Sequence, residues 1–132
     1  MPKKTKKFRV AKRNPNEGWI PDSSIPYAAI DIGSNGVRLL LSRVITTGEY
    51  CVFTKESLVR MPIRLGADVF SSGSISPEKE DQLVSTMMAF THLLKAYQPH
   101  DYRSYATSSM RAATTRQNIC TRIREERGIN LA

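Results

Sequence analysis

Apolar and β-branched residues fall into three short runs in the first half of the chain, each bounded by turn-forming residues. The runs cover residues 27–32, 37–44 and 50–59 and have the length and composition of β-strands. Asn35-Gly36, which tolerates positive φ at both positions, favours a hairpin between the first two runs. Gly48 in the next turn favours a second hairpin, so the pattern predicts a three-strand antiparallel meander.

The pattern changes to helical spacing in the second half. Residues 60–74 contain Pro62, Gly66 and Gly73 and predict a long connecting loop, a kind of segment that often carries function. Ser76 and Pro77 then suit the start of a helix. The apolar side chains of that helix follow at spacings of three and four residues and predict a core-facing stripe. They are Leu83, Met87, Phe90, Leu94 and Tyr97.

After Pro99 the sequence predicts one more strand and one more helix. Tyr102–Ala106 is short and alternating, as a strand requires, and Thr107-Ser108-Ser109 can cap a helix that continues to about Arg127. Residues 129–132 are typical of the opening of a fifth strand. Three strands followed by helix, strand, helix and strand predict an α/β layered domain whose later strands pair in parallel.

The positive charge of the chain is concentrated at one end. Of 132 residues, 20 are basic and 12 acidic, which gives a formal charge of +8, and residues 1–13 alone hold seven lysines and arginines and no acid. Residues 14–26 contain three prolines and predict an irregular linker. We therefore expect a basic flexible leader and linker over residues 1–26 and one domain over residues 27–132. The leader either binds nucleic acid or another polyanion or is simply a solvated terminus.

Other classes of protein fit the sequence less well. It contains no apolar segment typical of a secretory signal or of a membrane span, so the expected location is cytoplasmic. Cys51 and Cys120 do not form a C-x-x-C pair and predict reduced, partly buried thiols. His92 and His100 have no Cys or His neighbour at metal-ligand spacing.

Two turns that leave strand ends are the candidates for chemistry, one after Asp31 and one after Ala106. In open α/β sheets, ligands bind outside the carboxyl ends of strands, where backbone N–H groups and helix N-termini attract phosphate. Thr107 and Ser108 can offer hydroxyl groups, and Arg111 can offer a bidentate guanidinium group. The alternative is that Asp31 is a turn residue and Arg111 an exposed helix charge.

Three segments of the chain, in the same order, resemble one family. Asp31-Ile32-Gly33-Ser34-Asn35, followed by Arg38-Leu39, and the later segment 106–113 resemble the two signatures of the exopolyphosphatase / guanosine pentaphosphate phosphohydrolase (Ppx/GppA) family. Residues 60–66 and 73–76 are similar to the connecting loop and helix start of that family. The sequence departs from the family at Gly36, where Ser or Thr is usual, at Ala112, where an acid is usual, and at Thr115, where Asn is usual.

The resemblance implies an actin-like, ribonuclease-H-type α/β fold and hydrolysis of terminal phosphoanhydrides of inorganic polyphosphate or guanosine pentaphosphate. It implies Mg²⁺ as cofactor, with Asp31 as the candidate metal ligand. It assigns phosphate binding to Asp31, Gly33, Ser34, Asn35, Arg38, Thr107, Ser108 and Arg111.

The resemblance also implies that the general base is a Glu that would fall beyond Ala132. No catalytic residue is therefore assigned, and the chain is expected to be a truncated N-terminal subdomain that is inactive alone. Two alternatives remain: a non-catalytic polyanion- or nucleic-acid-binding module acting through the basic leader, and a fragment of a sugar kinase. Because the predicted sheet is incomplete, its exposed edges make a homodimer a further expectation.

Overall fold

The strands of the protein pair as a meander that is extended by one crossover strand. The computed structural model describes residues 23–47, 50–107, 113–114 and 116–127. Its strands are β1 (Ser23–Ile32), β2 (Val37–Thr47), β3 (Tyr50–Met61) and β4 (Asp101–Ala106). The sheet has the order β3-β2-β1-β4, with β1 antiparallel to β2, β2 antiparallel to β3, and β1 parallel to β4. The predicted meander and the predicted parallel pairing are both confirmed.

Strand β1 begins earlier than the sequence predicted. Residues 23–26 were expected to belong to an irregular linker, yet they pair with β2 down to Ser23 opposite Thr46. Pro26 is tolerated there because β4 pairs with β1 only from Tyr27 onward, which leaves the proline at a local edge of the sheet. Residues 1–22, which hold the basic leader, lie outside the described residues, and a flexible leader and linker over those residues stays a prediction.

The long loop predicted over residues 60–74 contains a short helix, so that prediction is wrong. Helix α1 spans Leu65–Ser72 and ends at Gly73, which has a φ of 75° and donates its N–H to the Val69 carbonyl. The helix has no side-chain cap at Arg64 and carries Gly66 in its first turn. These features remove the signals from which a helix start is normally recognised.

Helix α2 spans Pro77–Tyr97, as predicted. The Ser76 hydroxyl accepts the Lys79 N–H at 3.4 Å, and Pro77 occupies the first helical position. The predicted apolar stripe packs into the core on one face of the sheet, with Leu83 and Met87 fully buried and Tyr97 partly buried. The helix ends at Gln98 in the left-handed conformation, directly before Pro99.

Helix α3 spans Arg116–Arg127. The prediction of one helix from Ser109 to Arg127 is wrong, because Ala113 and Thr114 are not helical and the Thr114 N–H bonds to the Gly73 carbonyl at 3.0 Å. Ile119 and Ile123 of α3 are fully buried in the same core as α2. Ser108, Arg111 and the predicted fifth strand at 129–132 lie outside the described residues.

The state of the two cysteines agrees with the sequence. Cys51 is buried and Cys120 is partly buried, and neither forms a disulfide, as predicted. Within the described ranges, no helix combines the length and the apolar character needed to cross a membrane.

Candidate phosphate-binding site

The candidate site is built on the turn that joins β1 to β2, residues 33–36, which we call the β1–β2 loop. The Gly33 N–H donates to the Gly36 carbonyl at 2.9 Å, directly beyond the last strand pair, Ile32 and Val37. The predicted hairpin is confirmed, but positive φ is not its basis. In the described parts of the chain, positive φ occurs only at Gly73 and Gln98.

Close approach explains the glycines of the β1–β2 loop instead. A Cβ atom on Gly33 would lie 3.2 Å from the Gly36 carbonyl oxygen. A Cβ atom on Gly36 would lie 3.1 Å from the Arg60 Nε and 3.2 Å from the Met61 carbonyl oxygen. All three distances are tighter than ordinary contacts, so the loop and the end of β3 pack together only because side chains are absent at these two positions.

Two neighbours hold the carbonyl groups of the β1–β2 loop. The Gly66 N–H, in the first turn of α1, donates to the Ser34 carbonyl at 3.0 Å. The Arg60 Nη2 donates to the Asn35 carbonyl at 3.3 Å. The loop is therefore fixed both to α1 and to the end of β3, and the Asn35 side chain stays exposed at its tip.

The end of β4 lies against the same loop. The Thr107 N–H and the Thr107 hydroxyl both donate to the Ile32 carbonyl, at 3.0 and 3.1 Å. This arrangement follows from the parallel pairing of Ile32 with Ala106, which places the carboxyl ends of β1 and β4 side by side. Thr107 thus adjoins the β1–β2 loop as the sequence argument required, while Ser108 and Arg111 lie outside the described residues.

Asp31 and Arg38 form a cross-strand pair at the start of the loop. They are register partners, and the Arg38 Nη2 lies 3.6 Å from the Asp31 Oδ2. About half of each side chain is exposed, on the sheet face opposite the core. At this distance and exposure the pair contributes little stability, so both charges are available to a ligand at low energetic cost.

Asp31 can bind Mg²⁺ only if a bound phosphate supplies further oxygen ligands to the same ion. Among the residues that the structure describes, no three His, Cys, Asp or Glu side chains are grouped as metal ligands. Mg²⁺ commonly keeps several waters and binds through one or two carboxylates together with substrate phosphate oxygens. A single half-exposed carboxylate beside a phosphate loop is compatible with that mode and not with an all-protein site.

A cleft that the sequence did not predict lies beside the β1–β2 loop. It has a volume of about 520 Å³, and we call it the arginine cleft after its two charged side chains, Arg60 and Arg64. Its other lining residues are Ser34, Asn35, Pro62, Gly66, Ala67 and Phe70. Arg60 was not assigned to the site because β3 was predicted to end at Val59, one residue before the arginine that pairs with Arg38 in the sheet.

An ion pair and two hydrogen bonds fix α1, and with it the wall of the arginine cleft. The Lys79 Nζ donates to the Asp68 Oδ1 at 2.7 Å and to the Arg64 carbonyl at 2.6 Å. The Asp68 Oδ2 accepts the Ser76 N–H at 2.9 Å. The hydrogen bond from Lys79, followed by the bonds from Ser76, lowers the pKa of Asp68 to about 2. The start of α2 therefore holds the start of α1 in place.

Two of three comparisons with known proteins find similar proteins. A search with protein-family models gives no match. The chain is 30% identical over 102 residues to Exopolyphosphatase 1 of Mycobacterium tuberculosis (strain H37Rv), an alignment that covers 77% of this chain and 29% of that protein. Exopolyphosphatase 1 of Mycobacterium leprae matches with the same identity and coverage. The chain thus spans less than a third of the length of the curated relatives that it matches.

Solved structures share the fold. The crystal structure of the Aquifex aeolicus member of the Ppx/GppA family matches with a TM-score of 0.73 at 19% identity, over 83% of this chain and 34% of that chain. An exopolyphosphatase-like protein matches with a TM-score of 0.71 at 26% identity, over 82% and 32% of the two chains. The predicted actin-like α/β fold is confirmed by these neighbours. Together with the sequence identity to the exopolyphosphatases, they show that the chain belongs to the Ppx/GppA phosphatase family and spans part of the length of its members.

Proposed function

We propose that this chain is the phosphate-binding part of an enzyme that hydrolyses terminal phosphoanhydrides, with inorganic polyphosphate as the favoured substrate. The observation that carries the proposal is the convergence of two strand ends, in which Thr107 is bonded to the last residue of β1 beside the β1–β2 loop. The carboxyl ends of strands are where open α/β sheets bind ligands. The exopolyphosphatases among the relatives support polyphosphate over guanosine pentaphosphate.

Each residue has a distinct part in this proposal. Phosphoryl transfer needs positioning and charge neutralisation more than covalent chemistry from the protein. The β1–β2 loop, with Asn35 at its tip, positions the terminal phosphoryl group, and Arg38 neutralises its charge. The Thr107 hydroxyl already donates to the Ile32 carbonyl, so its part is to anchor the loop. Ser108 and Arg111 are proposed to add donors from the segment after β4.

Asp31 is proposed to hold Mg²⁺ together with the phosphate oxygens. The metal would supply further neutralisation of the phosphate charge. The protein's contribution is to orient the Asp31 carboxylate at the end of β1, where its cross-strand partner Arg38 lies 3.6 Å away. The Asp31 carboxylate would hold the metal and the Arg38 guanidinium would bind the phosphate, so each side chain would give up its ion pair with the other.

The test is equilibrium binding of tripolyphosphate to the 132-residue chain, measured by calorimetry with and without Mg²⁺ at fixed ionic strength. We expect Mg²⁺ to strengthen binding and Asp31→Asn to abolish that strengthening. The matched control is Asp101→Asn, because Asp101 is also an exposed carboxylate ion-paired to an arginine, Arg103 at 3.5 Å, at the opposite end of β4. Loss of the Mg²⁺ effect in both variants, or in neither, would contradict the proposed role of Asp31.

The remaining expectations about the whole protein stay predictions. They are hydrolysis of guanosine pentaphosphate, cytoplasmic location and formation of a homodimer. The homodimer is tested by sedimentation velocity, in which a monomer at all concentrations would contradict it.

A further inference from the structure

We propose that the arginine cleft binds the phosphates that follow the terminal one in a polyphosphate chain, so that Arg64 makes the affinity of the site depend on chain length. The inference rests on the proposed function for the terminal phosphoryl group. It goes beyond that function by giving the path of the remaining phosphates and a residue that selects for their number. Three observations carry it: a row of charged side chains across the sheet, the charge of the cleft and its continuity with the β1–β2 loop.

The row of charged side chains crosses three neighbouring strands at the level of the site. Asp31 is the register partner of Arg38, and Arg38 is the register partner of Arg60. Register partners point to the same face of a sheet, and neighbouring strands lie about 4.8 Å apart. Two arginines directly opposite each other repel. An anion that extends from Arg38 to Arg60 relieves this repulsion, which gives the direction of the chain, from β1 across β2 toward β3.

The arginine cleft, at the end of this row, has positive charge without a matching acid. Arg60 and Arg64 line it, and none of its lining residues is acidic. Within the described ranges, neither arginine belongs to an ion pair. The Arg60 Nη2 donates to the Asn35 carbonyl at 3.3 Å, which orients the guanidinium and uses only part of its donor capacity. The remaining donors can bind phosphate oxygens with defined geometry.

The cleft is continuous with the β1–β2 loop. Ser34 and Asn35 belong to the loop and also line the cleft. Gly66, which lines the cleft from α1, donates its N–H to the Ser34 carbonyl at 3.0 Å. A chain whose terminal phosphoryl group is held by the loop therefore enters the cleft without crossing another element. The cleft volume of about 520 Å³ lies within the range of about 300–1,000 Å³ that is typical of small-ligand sites.

Arg64 is the side chain that distinguishes longer chains from shorter ones. Arg60 is bonded to the loop itself, so it is placed for the phosphate next to the terminal one. Arg64 joins the cleft from the start of α1, with its side chain exposed. Its contact with Lys79 uses the main-chain carbonyl, at 2.6 Å, which alanine retains. Arg64 can therefore be replaced without loss of the contact that holds the start of α1.

The experiment measures the affinities of pyrophosphate and tripolyphosphate for the 132-residue chain by calorimetry, at fixed Mg²⁺ concentration and ionic strength. We expect tripolyphosphate to bind more tightly, and Arg64→Ala to reduce the ratio of the two affinities by about tenfold, as loss of a hydrogen bond to a charged group does. The change should fall on tripolyphosphate and leave pyrophosphate binding unaltered. Arg64→Lys, which keeps the charge but loses the planar fork, should give an intermediate ratio.

Two control variants separate this role from general effects. Arg124→Ala removes the same charge at an exposed position of α3 and should leave the ratio unchanged. Phe70→Ala removes an exposed side chain from the cleft itself and should also leave the ratio unchanged, because polyphosphate has no apolar surface. The basic residues 1–13 are present in every variant, so binding through them would give the same ratio in all of them.

The results that overturn this inference differ from those that overturn the proposed function. An unchanged ratio in Arg64→Ala, or an equal loss in Arg124→Ala, overturns the role of the cleft and leaves the proposed function standing. If Asn35→Ala leaves the binding of both ligands unchanged, the proposed phosphate loop fails, whatever Arg64 does. Absence of binding by both ligands overturns both proposals.

Discussion

At the scale of single residues, the absence of a side chain at Gly36 leaves room for the Arg60 side chain. Any Cβ at position 36 would lie 3.1 Å from the Arg60 Nε and 3.2 Å from the Met61 carbonyl oxygen. We expect Gly36→Ala to lower the free energy of unfolding by about 1–2 kcal/mol, as overpacking usually does. The measurement is denaturant unfolding followed by circular dichroism.

A double-mutant cycle identifies the cause of that loss. If Arg60 is the main obstacle, Gly36→Ala should cost less in an Arg60→Ala background, because the guanidinium is no longer in the way. Equal cost in the two backgrounds would instead place the strain at the Met61 backbone.

Ser104 gives a second prediction at this scale. Its hydroxyl is buried on β4 and finds no hydrogen-bond partner within the described ranges. Ser104→Ala should therefore be neutral or raise the free energy of unfolding by up to about 1 kcal/mol. Ser42 is equally buried, but its hydroxyl donates to the Tyr27 carbonyl at 3.3 Å, so Ser42→Ala should destabilise. A lower free energy of unfolding for Ser104→Ala than for Ser42→Ala would contradict this account.

At the scale of elements, the contact between α1 and the start of α2 makes stability depend on pH. Asp68 has a pKa of about 2 in the folded chain, below its ordinary 3.8, chiefly because Lys79 donates to it. Its stabilising contribution is therefore present above pH 3.8 and is lost as the pH falls from there toward 2. We expect Asp68→Asn to be less stable than the native chain at neutral pH, with the difference vanishing near pH 2.

The measurement is the free energy of unfolding in denaturant as a function of pH for the native chain and for Asp68→Asn. Asp101→Asn is the control, because the ion pair of Asp101 with Arg103 is largely exposed. A difference between native chain and Asp68→Asn that persists unchanged to the lowest pH would contradict the assigned role of Asp68.

The sequence predicted those helices and strands that have a clear hydrophobic periodicity or a clear capping signal. The stripe from Leu83 to Tyr97 and the Ser76-Pro77 start specified α2, and the alternation of Tyr102–Ala106 specified β4. Helix α1 was missed because it is eight residues long, lacks a side-chain cap and contains Gly66. The break before α3 was missed because it depends on a tertiary hydrogen bond, from the Thr114 N–H to the Gly73 carbonyl.

At the scale of the whole molecule, topology could be predicted and the site only in part. The order of strands and helices implied that β4 pairs in parallel, and in the structure its partner is β1, which brings Thr107 beside the β1–β2 loop. The arginine cleft could not be predicted, because it forms between the end of β3 and a helix that the sequence did not reveal. Periodicity locates elements, whereas a cleft depends on how their ends meet.

The central claim is that the loop between β1 and β2, together with the end of β4, binds phosphate. The most direct measurement is a titration of the isotope-labelled chain with tripolyphosphate, followed by the amide resonances of each residue in NMR spectra. The account predicts that resonances of residues 33–36 and of Thr107 shift together and saturate with one affinity. Shifts confined to the basic residues 1–13, with the loop unchanged, would contradict it and favour a polyanion-binding leader.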